Sequence, residues 1–131
     1  MKTLIAEDDD ASRRVLTALL NRYGESRVVT DGLGAVEAFL VALGGGVPFD
    51  LVCLDIMMPE MDGQEALQAI RRLEEDRGIL PSEGAKILMV TALDDPGNIL
   101  EAFQGLCDGY MVKPVDKTQL LDKLKELGLI P

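Results

Sequence analysis

A short apolar run, Leu51 to Leu54, is the feature that most constrains the fold of this chain. Its residues do not alternate with polar ones, which is the pattern of a strand buried on both faces of a parallel sheet. The run stops at a carboxylate, Asp55, and Pro59 opens a loop shortly afterwards. Open α/β sheets bind ligands at the carboxyl ends of their strands. Asp55 is therefore a candidate functional residue, although an Asp here could also do no more than start a turn.

Strand-like and helix-like segments alternate along the whole sequence. The predicted strands are Thr3–Ala6, Arg27–Thr30, Leu51–Leu54, Lys86–Thr91 and Tyr110–Val112. The predicted helices are Ala11–Tyr23, a segment from Asp31-Gly32 to the glycines 44–46, Gly63–Asp76, a weak helix after Asp95-Pro96, and a last helix from the cap Asp116 to the stop Gly128. This order predicts one α/β domain with a parallel sheet between two layers of helices.

Composition narrows the classes of function. The 131 residues are 47% hydrophobic and carry a formal net charge of −10, which argues against direct binding to nucleic acid or to an anionic membrane. Histidine is absent, so histidine catalysis and a phosphohistidine of the chain's own are excluded. There is no secretory signal pattern and no apolar run long enough to span a bilayer. We expect a cytoplasmic protein in which Cys53 and Cys107 are reduced thiols.

Polar residues stand at the carboxyl ends of four predicted strands. They are Glu7 and Asp8 after the first, Asp55 after the third, Thr91 at the end of the fourth and Lys113 after the fifth. These strand ends share one edge of a parallel sheet, so three carboxylates, a hydroxyl and an ammonium should converge. Clustered carboxylates repel one another unless a cation is present, and their oxygens suit Mg²⁺. The pattern predicts a site that places a phosphoryl group on a carboxylate.

Each of these residues also has a purely structural interpretation. The acidic run Glu7 to Asp10 could complement the dipole of a helix N-terminus. Thr91 is a common strand residue, and Lys113 could be a solvated charge. Tyr110 could be a core aromatic. It is their joint placement at the ends of the right strands that favours a shared site.

These motifs resemble the receiver domain of two-component response regulators. The resemblance rests on Glu7-Asp8, Asp55 with Met58 to Gly63, Thr91-Ala92, and Gly109-Tyr110 leading to Lys113-Pro114. It spans nearly the whole chain, residues 1–131, and is nearest to the single-domain, chemotaxis-type regulators. It implies a flavodoxin-like, doubly wound sheet of five parallel strands in the order 2-1-3-4-5, with five helices.

The resemblance implies the chemistry of the site. Asp55 would be the phosphoacceptor, and Thr91 and Lys113 would bind the phosphoryl oxygens. The implied cofactor is Mg²⁺. Its ligands would be Asp8 and Asp55, Glu7 through a water, and the main-chain carbonyl of Met57. Glu7 stands where many members of the family have Asp.

The resemblance also implies a switch. Phosphorylation would pull Thr91 toward the phosphoryl group, and Tyr110, the aromatic switch residue, would turn inward. The face formed by helix 4, strand 5 and helix 5 would change shape, and the Lys113–Pro114 bond would be cis. In the family, the residues that flank the hydrolytic water stand at the positions of Met57 and Leu93. Both are apolar, which predicts slow loss of the phosphoryl group.

The implied function is a phosphorylation-dependent signalling switch. The donor would be a phosphohistidine on a sensor histidine kinase or a phosphotransfer protein, and an effector protein would bind the changed face. The chain would be a monomer or weak dimer that catalyses only its own phosphorylation and dephosphorylation.

Three other interpretations remain open at this point. An Asp-nucleophile phosphatase of the haloacid dehalogenase type would need a second Asp at the position of Met57. A flavin-binding module would need a phosphate-binding loop after the first strand, where Glu7 to Asp10 would instead repel a phosphate. The chain could also be the receiver fragment of a longer response regulator or hybrid kinase.

Overall fold

The computed structural model describes the whole chain, Met1–Pro131, and its centre is a sheet of five parallel strands. The strands are β1 Thr3–Ala6, β2 Ser26–Val29, β3 Leu51–Leu54, β4 Lys86–Thr91 and β5 Gly109–Val112. They pair in the order β2-β1-β3-β4-β5, and every pairing is parallel. The predicted fold class and strand order are confirmed.

Five α-helices connect and follow these strands. They are α1 Asp10–Leu20, α2 Gly32–Gly44, α3 Gly63–Asp76, α4 Pro96–Gln104 and α5 Lys117–Glu126. No helix of the structure is both long enough and apolar enough to cross a membrane.

Several predicted boundaries differ from the structure by one to three residues; the last strand, for example, begins at Gly109 and not at Tyr110. The first helix was predicted over Ala11–Tyr23, but the α-helix ends at Leu20 and a 3₁₀ turn over Asn21–Tyr23 completes it. Tightening of a last turn is common where the final carbonyls of a helix lack partners. The second strand begins and ends one residue earlier than predicted because Ser26 to Val29 are the residues that face β1 in register.

An aspartate caps the N-terminus of every α-helix. In each case its side chain accepts a hydrogen bond from the main-chain N–H three residues later, which satisfies one of the amides that a helix start leaves free. The caps are Asp9, Asp31, Asp62, Asp95 and Asp116. Since each helix starts just beyond the carboxyl end of a strand, part of the negative charge is concentrated at that edge of the sheet.

The sheet separates two apolar cores. The larger lies under α2, α3 and α4, and the smaller lies under α1 and α5. Along β3, Val52 and Leu54 point into the first core, whereas Leu51 and Cys53 point into the second. All are at most 1% exposed, as expected for a strand without polar alternation. β3 thereby delivers Asp55 to the middle of the carboxyl edge.

Candidate functional site

Main-chain hydrogen bonds carry the sheet beyond the strands and so place the polar residues at its edge. The Glu7 N–H donates to the Val29 carbonyl at 3.0 Å, and the Asp55 N–H donates to the Ala6 carbonyl at 3.1 Å. The Lys113 N–H donates to the Thr91 carbonyl at 2.8 Å. The side chains that follow are therefore held by a rigid scaffold.

The predicted site residues converge on one pocket. Carboxylate oxygens of Glu7, Asp8 and Asp55 all lie within 4.8 Å of one another. Lys113 Nζ lies 2.9 Å from Asp55 Oδ2 and also contacts Glu7 Oε1. Glu7, Asp55 and Thr91 are buried, whereas Asp8 is exposed.

Burial and mutual contact set the ionisation of the pocket. The pKa of Glu7 is raised to about 7, chiefly by burial and also by the hydrogen bond with Asp55, while Lys113 opposes the rise. Burial also disfavours the charged form of Asp55, but hydrogen bonds with Glu7, Lys113 and Thr91 outweigh it and lower its pKa. Burial likewise works against the charge on Lys113, yet its two carboxylate partners raise its pKa. These shifts favour an ionised Asp55 and a charged Lys113 and make Glu7 easier to protonate than an exposed glutamate.

The turn after Asp55 is fixed because the start of α3 packs closely against the main chain of Asp55 and Ile56. The Gly63 N–H donates to the Ile56 carbonyl at 2.8 Å, and a Cβ at Gly63 would collide with the Asp55 carbonyl oxygen. Only glycine allows α3 to begin this close to the phosphoacceptor candidate. The Met57 N–H lies 3.4 Å from Asp55 Oδ1, and its side chain is 63% exposed.

Thr91 and Tyr110 meet through the main chain of Leu93. The Leu93 N–H lies 3.4 Å from Thr91 Oγ1, and the Tyr110 hydroxyl donates to the Leu93 carbonyl at 2.7 Å. The Tyr110 ring is half-buried against the larger core, and burial raises the pKa of its hydroxyl. The Lys113–Pro114 peptide bond is cis. The sequence analysis named Leu93 only for its position beside the hydrolytic water and did not predict that it joins Thr91 to Tyr110.

One arginine at the site was missed by sequence reasoning. Arg13 on α1 donates hydrogen bonds to the main-chain carbonyls of Glu7 and Asp8, at 3.1 Å and 2.9 Å. It also donates to Asp10 Oδ1 at 3.0 Å. The only signal in the sequence is the three-residue spacing from Asp10, and Arg14 has nearly the same one.

Known proteins are similar to this chain over most of its length. A family model described as the response regulator receiver domain matches residues 3–125. The transcriptional regulatory protein ResD of Bacillus subtilis is 30% identical over 126 residues, and SrrA of Staphylococcus aureus is 32% identical over 124 residues. The alignments include 96% and 95% of this chain but 47% and 46% of those proteins. The chain therefore spans about half the length of the curated relatives it matches.

Solved structures of similar proteins have the same fold as this chain. The receiver domain of the histidine kinase CKI1 from Arabidopsis thaliana, complexed with Mg²⁺ and BeF₃⁻, has a TM-score of 0.80 at 28% identity, over 97% of this chain and 89% of that chain. A chain of the CheX–CheY–BeF₃–Mg²⁺ complex from Borrelia burgdorferi has a TM-score of 0.82 at 23% identity, over 98% and 89%, which supports the fold alone. Since the family match and the solved receiver structures agree over nearly its whole length, the chain belongs to the response regulator receiver domains, which signal by phosphorylation in two-component systems.

Proposed function

We propose that Asp55 accepts a phosphoryl group from a phosphohistidine on a sensor histidine kinase or a phosphotransfer protein. The observation that carries the proposal is the contact of 2.9 Å between Lys113 Nζ and Asp55 Oδ2, inside a pocket that also contains two further carboxylates. Burial alone would raise the pKa of Asp55, but hydrogen bonds with Glu7, Lys113 and Thr91 lower it, which favours the ionised form needed for attack on phosphorus.

In this proposal, Asp55 attacks the phosphorus atom from the side opposite the bond that breaks. An Asp55 oxygen forms a new bond to phosphorus, the bond between phosphorus and the donor's imidazole nitrogen breaks, and that nitrogen keeps the electron pair. Lys113 and the Thr91 hydroxyl stabilise the phosphoryl oxygens, because an ammonium and a donor aimed at developing negative charge favour the transition state. The product is an acyl phosphate on Asp55.

The residues of the pocket suit Mg²⁺. The proposed ligands are Asp8, Asp55 and the main-chain carbonyl of Met57, with Glu7 acting through a water. The three carboxylates lie within 4.8 Å of one another, and the half-buried Lys113 is the cation that contacts Glu7 and Asp55, so a divalent cation would offset the remaining negative charge. When bound, Mg²⁺ would supply positive charge against the charge that develops on the phosphoryl oxygens.

The proposed output is a shift of α4, β5 and α5. Thr91 and Tyr110 are both bonded to Leu93, at the start of the segment that leads into α4. Ala102 is the only buried residue of α4, so movement of this helix disturbs little packing. The half-buried ring of Tyr110 supports a pre-existing inward arrangement, which phosphorylation would stabilise rather than create.

This face would bind an effector protein. On it, Leu100 and Phe103 are 59% and 46% exposed, so a partner could cover them. We propose that residues 1–131 act as one receiver unit, monomeric or weakly dimeric, that catalyses only its own phosphorylation and dephosphorylation. Since the curated relatives are about twice as long, the receiver part of a longer regulator is the second arrangement that we consider.

Phosphorylation by a small donor tests the proposal. The chain is incubated with acetyl phosphate and Mg²⁺, and the phosphoryl group is detected by intact-mass spectrometry. We expect labelling of the wild type and its loss in Asp55→Asn, in Asp8→Ala and on addition of EDTA. Asp94→Asn, an exposed carboxylate at the same edge, is the control and should be labelled like the wild type. Labelling that persists in Asp55→Asn would contradict the proposal.

A further inference from the structure

The segment that carries the first two site carboxylates is subject to charge repulsion. Glu7 to Asp10 are four consecutive acidic residues, and like charges this close repel one another. Two of these side chains must turn into the pocket while the other two turn away. Something has to fix the main chain between β1 and α1 against this repulsion.

The two outer acids are held by helix α1. Asp9 caps the helix by accepting a hydrogen bond from the Ser12 N–H at 2.9 Å. Asp10 pairs with Arg13 at 3.0 Å and with Arg14 at 3.1 Å. These contacts direct Asp9 and Asp10 away from the pocket.

Arg13 is the residue that reaches back to the inner two acids. Its Nη1 atom donates to the Glu7 carbonyl oxygen at 3.1 Å and to the Asp8 carbonyl oxygen at 2.9 Å. Its side chain is only 24% exposed, whereas the Arg14 side chain is 80% exposed and pairs with Asp10 alone. The planar guanidinium group can hold both carbonyls and Asp10 at once, which the single ammonium of a lysine cannot do in the same geometry.

We propose that Arg13 is a positioning residue for the magnesium site: it fixes the peptide groups of Glu7 and Asp8 so that their carboxylates face Asp55. The inference rests on the proposed function, because it concerns the same metal-dependent pocket. Arg13 does not touch the metal or the phosphoryl group, and it acts through the main chain of the residues that do. Groups that orient metal ligands in this way typically change metal affinity by about 10-fold or more when they are removed.

The direction of the change in Mg²⁺ affinity shows whether Arg13 acts by positioning the ligands or only by its charge. A cation near a Mg²⁺ site repels the metal, so loss of charge alone should tighten Mg²⁺ binding. Loss of positioning should weaken it. Arg14 is the matched control, because it has the same charge, lies on the same helix and shares Asp10, but contacts neither carbonyl.

The experiment is a calorimetric titration of the full, unphosphorylated chain with Mg²⁺ alone. We expect Arg13→Ala to bind Mg²⁺ about 10-fold more weakly than the wild type, and Arg13→Lys to be weakened as well. Arg14→Ala should bind as tightly as the wild type or slightly more tightly. Unfolding temperatures in EDTA identify any variant that fails to fold, and Arg13→Lys tests the inference if Arg13→Ala does not.

A second readout distinguishes positioning from general damage. The phosphorylation rate with acetyl phosphate is measured across Mg²⁺ concentrations. The half-saturating Mg²⁺ concentration should rise in the Arg13 variants, while the rate at saturating Mg²⁺ should match the wild type. The inference is overturned if both Arg13 variants bind Mg²⁺ as tightly as the wild type, if Arg14→Ala is weakened equally, or if saturating Mg²⁺ fails to restore the rate. A wild type that is phosphorylated normally would leave the proposed function standing in each of these cases, whereas a wild type that binds no Mg²⁺ would overturn both.

Discussion

The hydroxyl of Tyr110 lies 2.7 Å from the main-chain oxygen of Leu93, which ties the ring on β5 to the segment that follows Thr91. The amide of Leu93 faces the Thr91 hydroxyl at 3.4 Å. One peptide segment therefore contacts both residues of the proposed switch. A displacement of Thr91 toward a phosphorylated Asp55 would act on the atoms that hold the Tyr110 ring.

Removal of the Tyr110 hydroxyl tests that contact. Tyr110→Phe keeps the ring in the larger core but leaves the Leu93 carbonyl without its donor. We expect the free energy of unfolding to fall by about 0.5–1.5 kcal/mol, the usual net contribution of one hydrogen bond. The measurement is urea unfolding, with Tyr23→Phe as the control, since Tyr23 is also half-buried and its hydroxyl has no hydrogen bond in the structure. Equal losses in the two variants would show that the Leu93 bond contributes nothing specific.

Lys113 should compete with Mg²⁺ for the carboxylates of the pocket. Its ammonium contacts both Glu7 and Asp55, so Lys113→Gln removes a charge that repels the metal. We expect Mg²⁺ to bind roughly 10-fold more tightly, or about 1.4 kcal/mol, and phosphorylation at saturating Mg²⁺ to become slower. Lys117→Gln, at the exposed start of α5, is the control. Unchanged Mg²⁺ affinity in Lys113→Gln would mean that the ammonium does not share the metal's ligands.

The lifetime of the acyl phosphate should depend on Met57 more than on Leu93. The Met57 side chain is 63% exposed at the pocket, whereas Leu93 packs against the larger core. An amide at position 57 could orient the attacking water, which is a general source of rate. We expect Met57→Asn to release phosphate several-fold faster than the wild type, and addition of Leu93→Glu to shorten the lifetime further. Met57→Leu is the control, and equal rates in all variants would exclude this role.

Removal of one partner from a buried ion-pair network at the opposite edge of the sheet should destabilise the fold strongly. The Arg71 side chain is 6% exposed and pairs with Glu74 at 2.6 Å and with Asp108 at 2.7 Å. It also donates to the carbonyls of Ala85 and Leu106, both at 2.9 Å.

Arg71→Ala would leave two carboxylates without their cation, so the free energy of unfolding should fall by about 3–5 kcal/mol. The exposed neighbour gives the control: Arg72→Ala should change it by less than about 0.5 kcal/mol. The measurement is urea unfolding at pH 7. A small fall in the free energy of unfolding for Arg71→Ala would show that water replaces the contacts that the two carboxylates lose.

The same two arginines show where sequence reasoning stopped. Arg71 and Arg72 are adjacent and chemically identical, and only the packing of α3 decides that one is buried and the other exposed. Arg13 and Arg14 form a second pair of this kind. Long-range contacts of a polar side chain leave no periodic pattern, so the network and the Arg13 contacts could not be predicted.

The sheet could be predicted because its signals are local. The unbroken apolar run of β3 implied burial on both faces, and alternation with helices implied parallel pairing. The end of a strand then placed Asp55, Thr91 and Lys113 at one edge. The predicted boundaries of β2 were wrong by one residue, since the extent of this strand is set by its pairing with β1 and not by its own sequence.

The central claim is that Asp55 is the phosphoacceptor, and chemical mapping of the label tests it most directly. The chain is phosphorylated with acetyl phosphate and Mg²⁺ and then treated with borohydride, which reduces an aspartyl phosphate to homoserine. Peptide mass spectrometry then locates the change. We predict homoserine at position 55 and unmodified aspartate at position 8. Homoserine at Asp8 or at any other acidic residue, with Asp55 intact, would contradict the account.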